Sequence, residues 1–151
     1  MKDFSKYLAI PFKSRGRDFA GCDCWGLCRL FLKNEMGIEA DSFSEYGVEN
    51  YRFVKEFVES EKQNWSLIQC GMRIADCGIK DLNSELRTPY SELPQVGDIV
   101  ELKSGRQWHI GIVAADGYIL HIEEGNFAKL VSMKNPVIKN RIHQFWRHRS
   151  R

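Results

Sequence analysis

The chain has 151 residues, of which 43% are apolar and 28% charged, and its formal net charge is +2. This composition is typical of one soluble globular domain and excludes a disordered chain. The near-balanced charge argues against a dedicated nucleic-acid-binding protein, whose basic residues would dominate. Residues 141–151 are locally basic, and we expect a solvated or partner-facing tail there, with membrane or nucleic-acid contact as the alternative.

The sequence also predicts where the protein is made. No stretch reaches the roughly 18 apolar residues that a membrane span needs, and Met1–Tyr7 carries no apolar core of a signal peptide. The five cysteines, an odd number, are more typical of free thiols in a reducing compartment than of disulfides. We therefore expect synthesis and folding in a cytoplasm and no membrane-spanning segment.

Two N-terminal segments lead to the first long helix. Residues 4–12 predict a short helix that ends before Pro11, because the residue before a proline is disfavoured in the α conformation. Residues 14–21 are basic and contain glycine, which predicts a loop.

A longer helix is predicted to begin at Cys24. Asp23, directly before it, is a typical N-cap, since its carboxylate can accept a hydrogen bond from a backbone N–H of the first turn. The apolar residues that follow Cys24 at helical spacing are Leu27, Cys28, Phe31 and Leu32. Gly37 is the expected left-handed end of this helix.

Residues 41–93 carry weaker signals and are expected to form a helical or irregular insertion. A packing helix is predicted from about 48 to 62, with an apolar face made of Tyr51, Val54, Phe57 and Val58. A strand is predicted at Trp65–Ile68, and Cys70 and Cys77 are expected to be small buried residues.

The C-terminal half changes to β-strand patterns. Turn residues separate short apolar runs, which predict strands at Ile99–Leu102, Trp108–Val113, Tyr118–Glu123, Phe127–Val131 and Ile142–Trp146. N-terminal helices followed by an antiparallel meander predict an α+β fold in which the helices pack on the sheet. No internal repeat or low-complexity linker interrupts the chain, so residues 1–151 are expected to form a single domain.

The start of the predicted second helix is a suitable place for a nucleophile. A thiol at Cys24 lies at the positive end of the helix dipole, which favours the thiolate. A free thiol with a pKa of about 8.5 is only a few per cent ionised at neutral pH. A paired imidazole would lower that pKa, so the nucleophile needs a histidine nearby.

Two other cysteines cluster with Cys24. Cys28 is expected to pack in the apolar face of the helix, and Cys22 is expected to be incidental. A zinc site is the alternative for the cluster, but its C-x-C-x3-C spacing contains no C-x2-C pair of the kind that zinc sites use. We expect neither a metal nor another cofactor.

Two of the four histidines can supply the base. His109 and His121 lie on neighbouring predicted strands of one hairpin, whereas His143 and His148 lie in the basic C-terminal segment. A base whose second ring nitrogen is held by a third polar group is the arrangement of catalytic triads. His109 is the expected base and His121 the expected third residue. A hydrogen-bonded structural role is the alternative for either histidine alone.

The register of that hairpin decides whether the two histidines meet. With a plain two-residue turn, His109 would face Glu124 and the histidines would point to opposite faces. With a three-residue loop at Ala115–Gly117, or with a bulge, His109 pairs with Glu123 and His121 shares its face. We therefore predict an odd loop or a bulge. Both glutamates are expected to be solvated, although either can face the cleft.

Four blocks of the sequence resemble the NlpC-type cell-wall cysteine peptidases, which are compact papain-like enzymes. The blocks are Asp23–Leu27, Gly97–Val100, His109–Val113 and Ile119–His121. The tryptophan after the nucleophile position, with the apolar residues behind it, is most similar to the branch found in bacteriophage tail proteins. The resemblance covers residues 8–40 and 94–148 and implies the papain-like fold.

The resemblance implies a thiol hydrolase that cuts peptidoglycan stem peptides between D-γ-glutamate and diaminopimelate. It makes Cys24 the nucleophile, His109 the general base and acid, and His121 the orienting residue. The backbone N–H of Cys24 would stabilise the tetrahedral oxyanion.

The same resemblance identifies one departure and a set of cleft residues. Family members usually carry a Pro-Tyr pair twelve residues before the nucleophile, and this chain has Pro11-Phe12 there, without the hydroxyl. Losing one such donor costs on the order of 10²–10³ in rate where it matters. The residues expected to line the substrate cleft are Phe12, Asp23, Trp25 and Trp108, with a core role as the alternative for the three aromatic side chains.

The leading functional hypothesis is a phage tail-tip peptidase that opens the cell wall locally during DNA entry. Its partners would be peptidoglycan stem peptides and other tail-tip or hub proteins, with no nucleic-acid partner. It would be made in the host cytoplasm, carried in the virion and active on the cell wall from the periplasmic side. A structural tail-assembly subunit with a weak or inactive peptidase fold is the alternative, and a cytoplasmic thiol amidase or acyltransferase is a third candidate.

Overall fold

The fold is taken from a computed structural model that describes residues 2–42, 64–68, 93–104 and 107–150. The helix predicted at 48–62 and the two cysteines Cys70 and Cys77 lie outside the described residues. None of the helices in the described parts of the chain is long and apolar enough to cross a membrane.

The N-terminal part is built from short elements that lead into one helix. They are α1 (Ser5–Leu8), β1 (Arg17–Asp18), β2 (Gly21–Cys22), α2 (Cys24–Phe31) and a π-helical turn (Leu32–Met36). The short first helix is confirmed. The loop predicted at 14–21 is wrong in part, because β1 and β2 pair there as a small antiparallel hairpin.

Both ends of α2 follow the sequence signals. The Asp23 side chain accepts a hydrogen bond from the backbone N–H of Gly26 at 2.8 Å, which satisfies one of the N–H groups that the first helical turn leaves without a partner. A π-helical turn continues α2 beyond Phe31, and Gly37 ends this turn in the left-handed conformation with φ of 68°, as predicted. The π-helical turn between Phe31 and Gly37 has no signal in the sequence.

Within the described residues, six strands form one antiparallel sheet. They are β3 (Trp65–Leu67), β4 (Ile99–Ser104), β5 (Gln107–Ala115), β6 (Tyr118–His121), β7 (Lys129–Ser132) and β8 (Ile142–His148), and a short helix α3 (Pro136–Lys139) precedes the last strand. The spatial order is β3-β8-β4-β5-β6-β7, so β4 to β7 form a meander and the C-terminal strand inserts beside β4. The predicted α+β class is confirmed.

Alternation along the strands divides the buried side chains between two clusters. Successive residues of a strand point to opposite faces of the sheet. The cluster that contains α2 includes Trp25, Leu27, Phe31, Ile110, Ile112 and Leu120. The second includes Val100, Leu102, Val113, Ile119, Ile138 and Phe145. Helix α2 packs against β5 and β6, and this contact fixes Cys24 at the start of the helix relative to the hairpin.

Glu35 links the N-terminal segment to the π-helical turn. Its carboxylate pairs with Lys2 and with Lys6, whose Nζ is 2.7 Å from Oε1, and it accepts a hydrogen bond from the Tyr7 hydroxyl at 2.7 Å. Hydrogen bonds from Lys2 and Lys6 lower the pKa of Glu35 to about 2, from an ordinary value of 4.5, although burial opposes them.

We expect Glu35 to stabilise the fold in a pH-dependent way. Because its pKa is lower in the folded than in the unfolded chain, the stabilisation is complete above about pH 4.5 and is lost as the pH falls towards about 2. Urea unfolding of the wild type and Glu35→Gln across this range should show a stability difference that shrinks on acidification. Glu39→Gln is the matched control, since its pair with Lys33 is exposed and should contribute little at any pH. A Glu35→Gln difference that does not depend on pH would contradict the prediction.

Candidate active site

Cys24 lies at the first position of α2 and is almost completely buried, with 3% of its surface exposed. Its sulfur is placed against the backbone N–H groups of Ile110 on β5 and of its own neighbour Trp25. Ile110 directly follows His109 in β5, so the thiol lies against the strand residue next to the predicted base. Cys22, Cys24 and Cys28 are all free thiols.

The resting state of this thiol differs from the prediction. Burial, and then the negative charge of Asp23, raise the pKa of Cys24 to about 12, although the N–H groups of Ile110 and Trp25 lower it in part. The helix start therefore does not produce a thiolate in the substrate-free protein. Desolvation of the charged form and a carboxylate at the adjacent residue outweigh the partial positive charge of the helix terminus.

Asp23 holds the loop before the helix. One carboxylate oxygen accepts hydrogen bonds from the Gly26 N–H at 2.8 Å and from Arg17 Nη1 at 2.7 Å, and the other accepts one from the Arg15 N–H at 3.1 Å. The side chain is fully buried. The prediction that Asp23 lines the substrate cleft is therefore corrected, because its oxygens bind the protein's own N–H donors.

The loop and the helix approach too closely for any side chain at two glycines. A Cβ at Gly26 would lie 2.1 Å from the carbonyl oxygen of Gly16, and a Cβ at Gly16 would lie 2.2 Å from the carbonyl oxygen of Gly21. Together with the Arg17–Asp23 ion pair, this contact fixes the backbone around Cys24. Arg17 carries no recognisable signal in the sequence, because its pairing with Asp23 depends on the β1–β2 hairpin, which was not predicted.

His109 and His121 meet as the sequence predicted. Nε2 of His109 lies 3.1 Å from Nδ1 of His121, within hydrogen-bond distance, and the two rings are inclined at 66°. His121 is buried and His109 half-buried. The contact occupies Nε2 of His109 and leaves its Nδ1 as the nitrogen that can accept a proton from a nucleophile.

A β-bulge sets the register that brings the two rings together. Strands β5 and β6 pair Ile112 with Leu120 and Val113 with Ile119, and then the register shifts so that Ala115 pairs with Tyr118. The connection itself is a two-residue turn, so the predicted three-residue loop is wrong and the predicted bulge is present. Continued along the strands, this register sets His109 opposite Glu123.

The electrostatics keep both imidazoles neutral in the resting protein. Burial, followed by the proximity of His121, lowers the pKa of His109 to about 3. Burial also lowers the pKa of His121. A neutral His109 that donates its Nε2–H to Nδ1 of His121 carries a lone pair on its own Nδ1. We assign this tautomer to His109 because a general base needs such a lone pair.

Glu123 and Arg141 lie beside the histidine pair. Arg141 Nη1 is 2.8 Å from Oε1 of Glu123, and one ligand atom from each of His109, His121 and Glu123 lies within 4.8 Å of the other two. Burial is the largest single influence on Glu123 and raises the pKa of its carboxyl group. The hydrogen bond from Arg141, the Arg141 charge and the two histidines together outweigh burial, so that pKa is lowered. The glutamate charge favours a protonated His109 and the arginine charge disfavours it.

The three aromatic residues predicted in the cleft have different positions. Phe12 is half-buried; its backbone forms a β-bridge with Cys22, and its N–H donates to the Asn126 carbonyl at 2.9 Å. Trp25 is fully buried in the α2 cluster and its indole N–H donates to the Asp41 carbonyl at 2.9 Å, so its predicted place in the cleft is corrected to the core. Trp108 lies on β5, and its side chain is outside the described part of the structure.

Comparison with known proteins agrees with this arrangement. The family model of the NlpC/P60 family matches residues 9–147, which is nearly the whole chain. The chain belongs to the NlpC/P60 family. The fold also matches the crystal structure of the NlpC/p60 domain of the peptidoglycan hydrolase SagA, with a TM-score of 0.52 and 18% identity over 93% of this chain and 88% of that one. No curated protein matches the chain by sequence.

The family assignment settles the fold of the site but leaves its chemistry to the residues. In this NlpC/P60 chain a helix-start cysteine packs on the strand that carries His109, and His121 holds the far nitrogen of that imidazole. An imidazole whose opposite N–H is already engaged is the form in which a histidine accepts a proton from a thiol.

We expect alkylation of Cys24 in this NlpC/P60 domain to follow the raised pKa of its thiol. Reaction with iodoacetamide should be slow near neutral pH and should accelerate about tenfold for each pH unit towards alkaline pH, since only the thiolate reacts. Peptide mapping by mass spectrometry gives the rate at Cys24, with the fully buried Cys28 of the same helix as an internal control that should remain unmodified. A rate that is already at its plateau in mildly acidic buffer would instead reveal a preformed thiolate–imidazolium pair.

Proposed function

We propose that the protein is a cysteine peptidase that hydrolyses the peptide stems of peptidoglycan at the bond between D-γ-glutamate and diaminopimelate. The observation that carries this proposal is the His109–His121 contact on the two strands against which the helix of Cys24 packs, in an NlpC/P60 fold. The structural likeness to a domain of a peptidoglycan hydrolase supports the substrate class.

The first step forms the thioester. As the Cys24 sulfur attacks the γ-carbonyl carbon of the glutamate, its proton passes to Nδ1 of His109. The carbonyl oxygen becomes an oxyanion, and the backbone N–H of Cys24, at a helix position with no intrahelical acceptor, donates to it. The tetrahedral intermediate collapses, and the protonated His109 donates its proton to the departing amine of diaminopimelate.

The second step releases the acyl group and restores the enzyme. A water molecule gives a proton to Nδ1 of His109 while its oxygen attacks the thioester carbon. The carbon–sulfur bond then breaks, the sulfur takes the proton back from His109, and the glutamate γ-carboxylic acid leaves. The substrate and one water are consumed, and Cys24 and His109 return to their neutral forms.

The site is suited to a proton transfer that occurs during attack and not before it. Cys24 and His109 are both neutral at rest, because burial disfavours their charged forms. His121 accepts the Nε2–H of His109, and the Glu123 carboxylate lies close enough to favour the imidazolium that forms transiently. The positive charge that develops on His109 during the transfer is therefore stabilised by the existing hydrogen bond to His121 and by the Glu123 carboxylate.

Digestion of diaminopimelate-type peptidoglycan tests the proposed activity. Purified wild-type protein should release fragments with a new N-terminal diaminopimelate and a free glutamate γ-carboxyl group, as read by mass spectrometry. Cys24→Ala should release none, whereas Cys28→Ala, one turn along the same helix, should retain activity. Equal product release by wild type and Cys24→Ala would overturn the proposal.

We further propose that this peptidase is a component of a bacteriophage tail tip, where it opens the cell wall during DNA entry. The tryptophan that follows the nucleophile, with the apolar residues behind it, supports this placement through its resemblance to the tail-associated branch. The protein would be made in the host cytoplasm, bind other tail-tip or hub proteins and reach the wall in the virion. Detection of the chain in purified virions by mass spectrometry tests this, and its absence from them would contradict it.

Two observations favour a structural tail subunit as the second candidate function. Cys24 is buried with a pKa raised to about 12, and Phe12 supplies no hydroxyl to the site. Both features are those of a weak catalyst. A tail that requires the chain for assembly but infects equally well with Cys24→Ala would favour the structural role, and assembly with loss of infection would favour the peptidase.

A further inference from the structure

Three metal-ligating side chains converge at the open end of the β5–β6 hairpin. His109 Nε2 and His121 Nδ1 are 3.1 Å apart, and a carboxylate oxygen of Glu123 completes a group whose ligand atoms all lie within 4.8 Å of one another. The bulge at Ala114 sets the register of β5 and β6, and continued along the strands this register places His109 opposite Glu123 and Gly111 opposite His121. The side chains of His109, His121 and Glu123 therefore lie on the same face of the hairpin.

The donor set and its spacing are those of a zinc site. Two imidazole nitrogens and one carboxylate oxygen form a three-ligand set that Zn²⁺ uses in proteins, with water at the fourth position. Tetrahedral ligands at the usual Zn–N distance lie about 3.3 Å from each other, so the two histidine nitrogens already have nearly the required separation. The Glu123 side chain is 40% exposed and has room to close on an ion held by the two rings.

Binding an ion replaces the hydrogen bond between the two histidines with metal bonds and uses the second oxygen of the Glu123 carboxylate. The His109–His121 hydrogen bond is lost, and Arg141, which engages Oε1 of Glu123, leaves Oε2 as the oxygen that a cation takes. Arg141 also donates to the Lys103 carbonyl, so it has a second partner that holds it while Glu123 turns towards the ion.

We propose that His109, His121 and Glu123 bind one Zn²⁺ ion reversibly and that the bound ion inhibits the thiol chemistry at Cys24. The binding part stands on the three side chains alone, and the inhibition part rests on the proposed hydrolase function. Zinc on Nε2 of His109 removes the contact that orients this imidazole. A neutral imidazole that binds zinc through Nε2 carries its proton on Nδ1, so His109 then has no lone pair with which to accept the thiol proton.

Titration calorimetry with zinc chloride on the reduced, metal-free 151-residue protein tests the binding. We expect one ion per chain and a dissociation constant that rises roughly tenfold or more in Glu123→Gln. Glu124→Gln, the adjacent exposed glutamate, should bind as the wild type does. Titration with Co²⁺ should produce the visible absorption of a tetrahedral ion without a thiolate charge-transfer band. A thiolate band, or wild-type affinity in Glu123→Gln, would overturn the site.

The inhibition is measured separately by peptidoglycan digestion with and without zinc. Saturating zinc should suppress product release, and a chelator should restore it. Unchanged hydrolysis in a protein that binds zinc would overturn the inhibitory role while the site stands. Zinc binding without hydrolysis in metal-free buffer would contradict the proposed peptidase function but leave the site intact, so the two failures are distinguishable.

Discussion

Replacing His109 with Gln is expected to lower kcat for stem-peptide hydrolysis by about 10²–10⁴-fold, the usual contribution of general acid–base catalysis. During thioester formation the His109 side chain first accepts the thiol proton and then donates it to the departing amine. A water molecule at this place is too weak a base to do both. Because Cys24 is protonated at rest, the reaction depends on this transfer more than it would in an enzyme with a preformed thiolate. Steady-state hydrolysis of a soluble stem peptide gives the rate.

The matched control is His143→Gln on β8, which removes a histidine from the same sheet but outside the histidine pair. It should change kcat less than twofold, and both variants should unfold at a temperature close to that of the wild type. Retention of more than a tenth of wild-type kcat by His109→Gln would contradict its assignment as base.

Replacing Asp98 with Ala is expected to lower the free energy of unfolding by about 3–5 kcal/mol, more than any other substitution proposed for this protein. Both oxygens of this fully buried carboxylate accept hydrogen bonds from Arg147, at 2.9 Å from Nε and 2.8 Å from Nη2, and one also accepts from the Gln95 N–H. The substitution leaves the Arg147 guanidinium charge, which is mostly buried, without its carboxylate. The free energy of unfolding in urea measures the effect.

Glu39→Gln is the control for Asp98, because it removes one charge from an exposed ion pair with Lys33. It should change the free energy of unfolding by less than about 1 kcal/mol. The contrast separates the burial of a charge from the mere loss of a carboxylate. An Asp98→Ala variant within 1 kcal/mol of the wild type would show that the Arg147 pair contributes little to the fold.

Much of the site is predictable from the sequence because local rules determine it. The N-cap at Asp23 and the left-handed Gly37 define the helix that carries Cys24, and each is a property of a few adjacent residues. The meeting of His109 and His121 follows from strand alternation once an odd register is accepted. Each of these features is confirmed.

Three of the features that the sequence did not predict depend on residues outside the local sequence. The pKa of Cys24 is set by how deeply α2 packs against β5, which no local pattern records. Trp25 was expected in the cleft, with the core as the alternative, and it is fully buried with its indole N–H bound to the carbonyl of Asp41, 16 residues further along the chain. The Asp98–Arg147 pair joins residues 49 positions apart.

Acid quenching during turnover tests the central claim most directly, since it preserves any acyl group on the enzyme. Wild-type protein mixed with an alanyl-γ-glutamyl-diaminopimelate substrate, quenched in acid and mapped by mass spectrometry, should carry an alanyl-γ-glutamyl thioester on Cys24. Hydrolysis that proceeds with no acyl group on Cys24, or with the group on another residue, would contradict the assignment of Cys24 as the nucleophile.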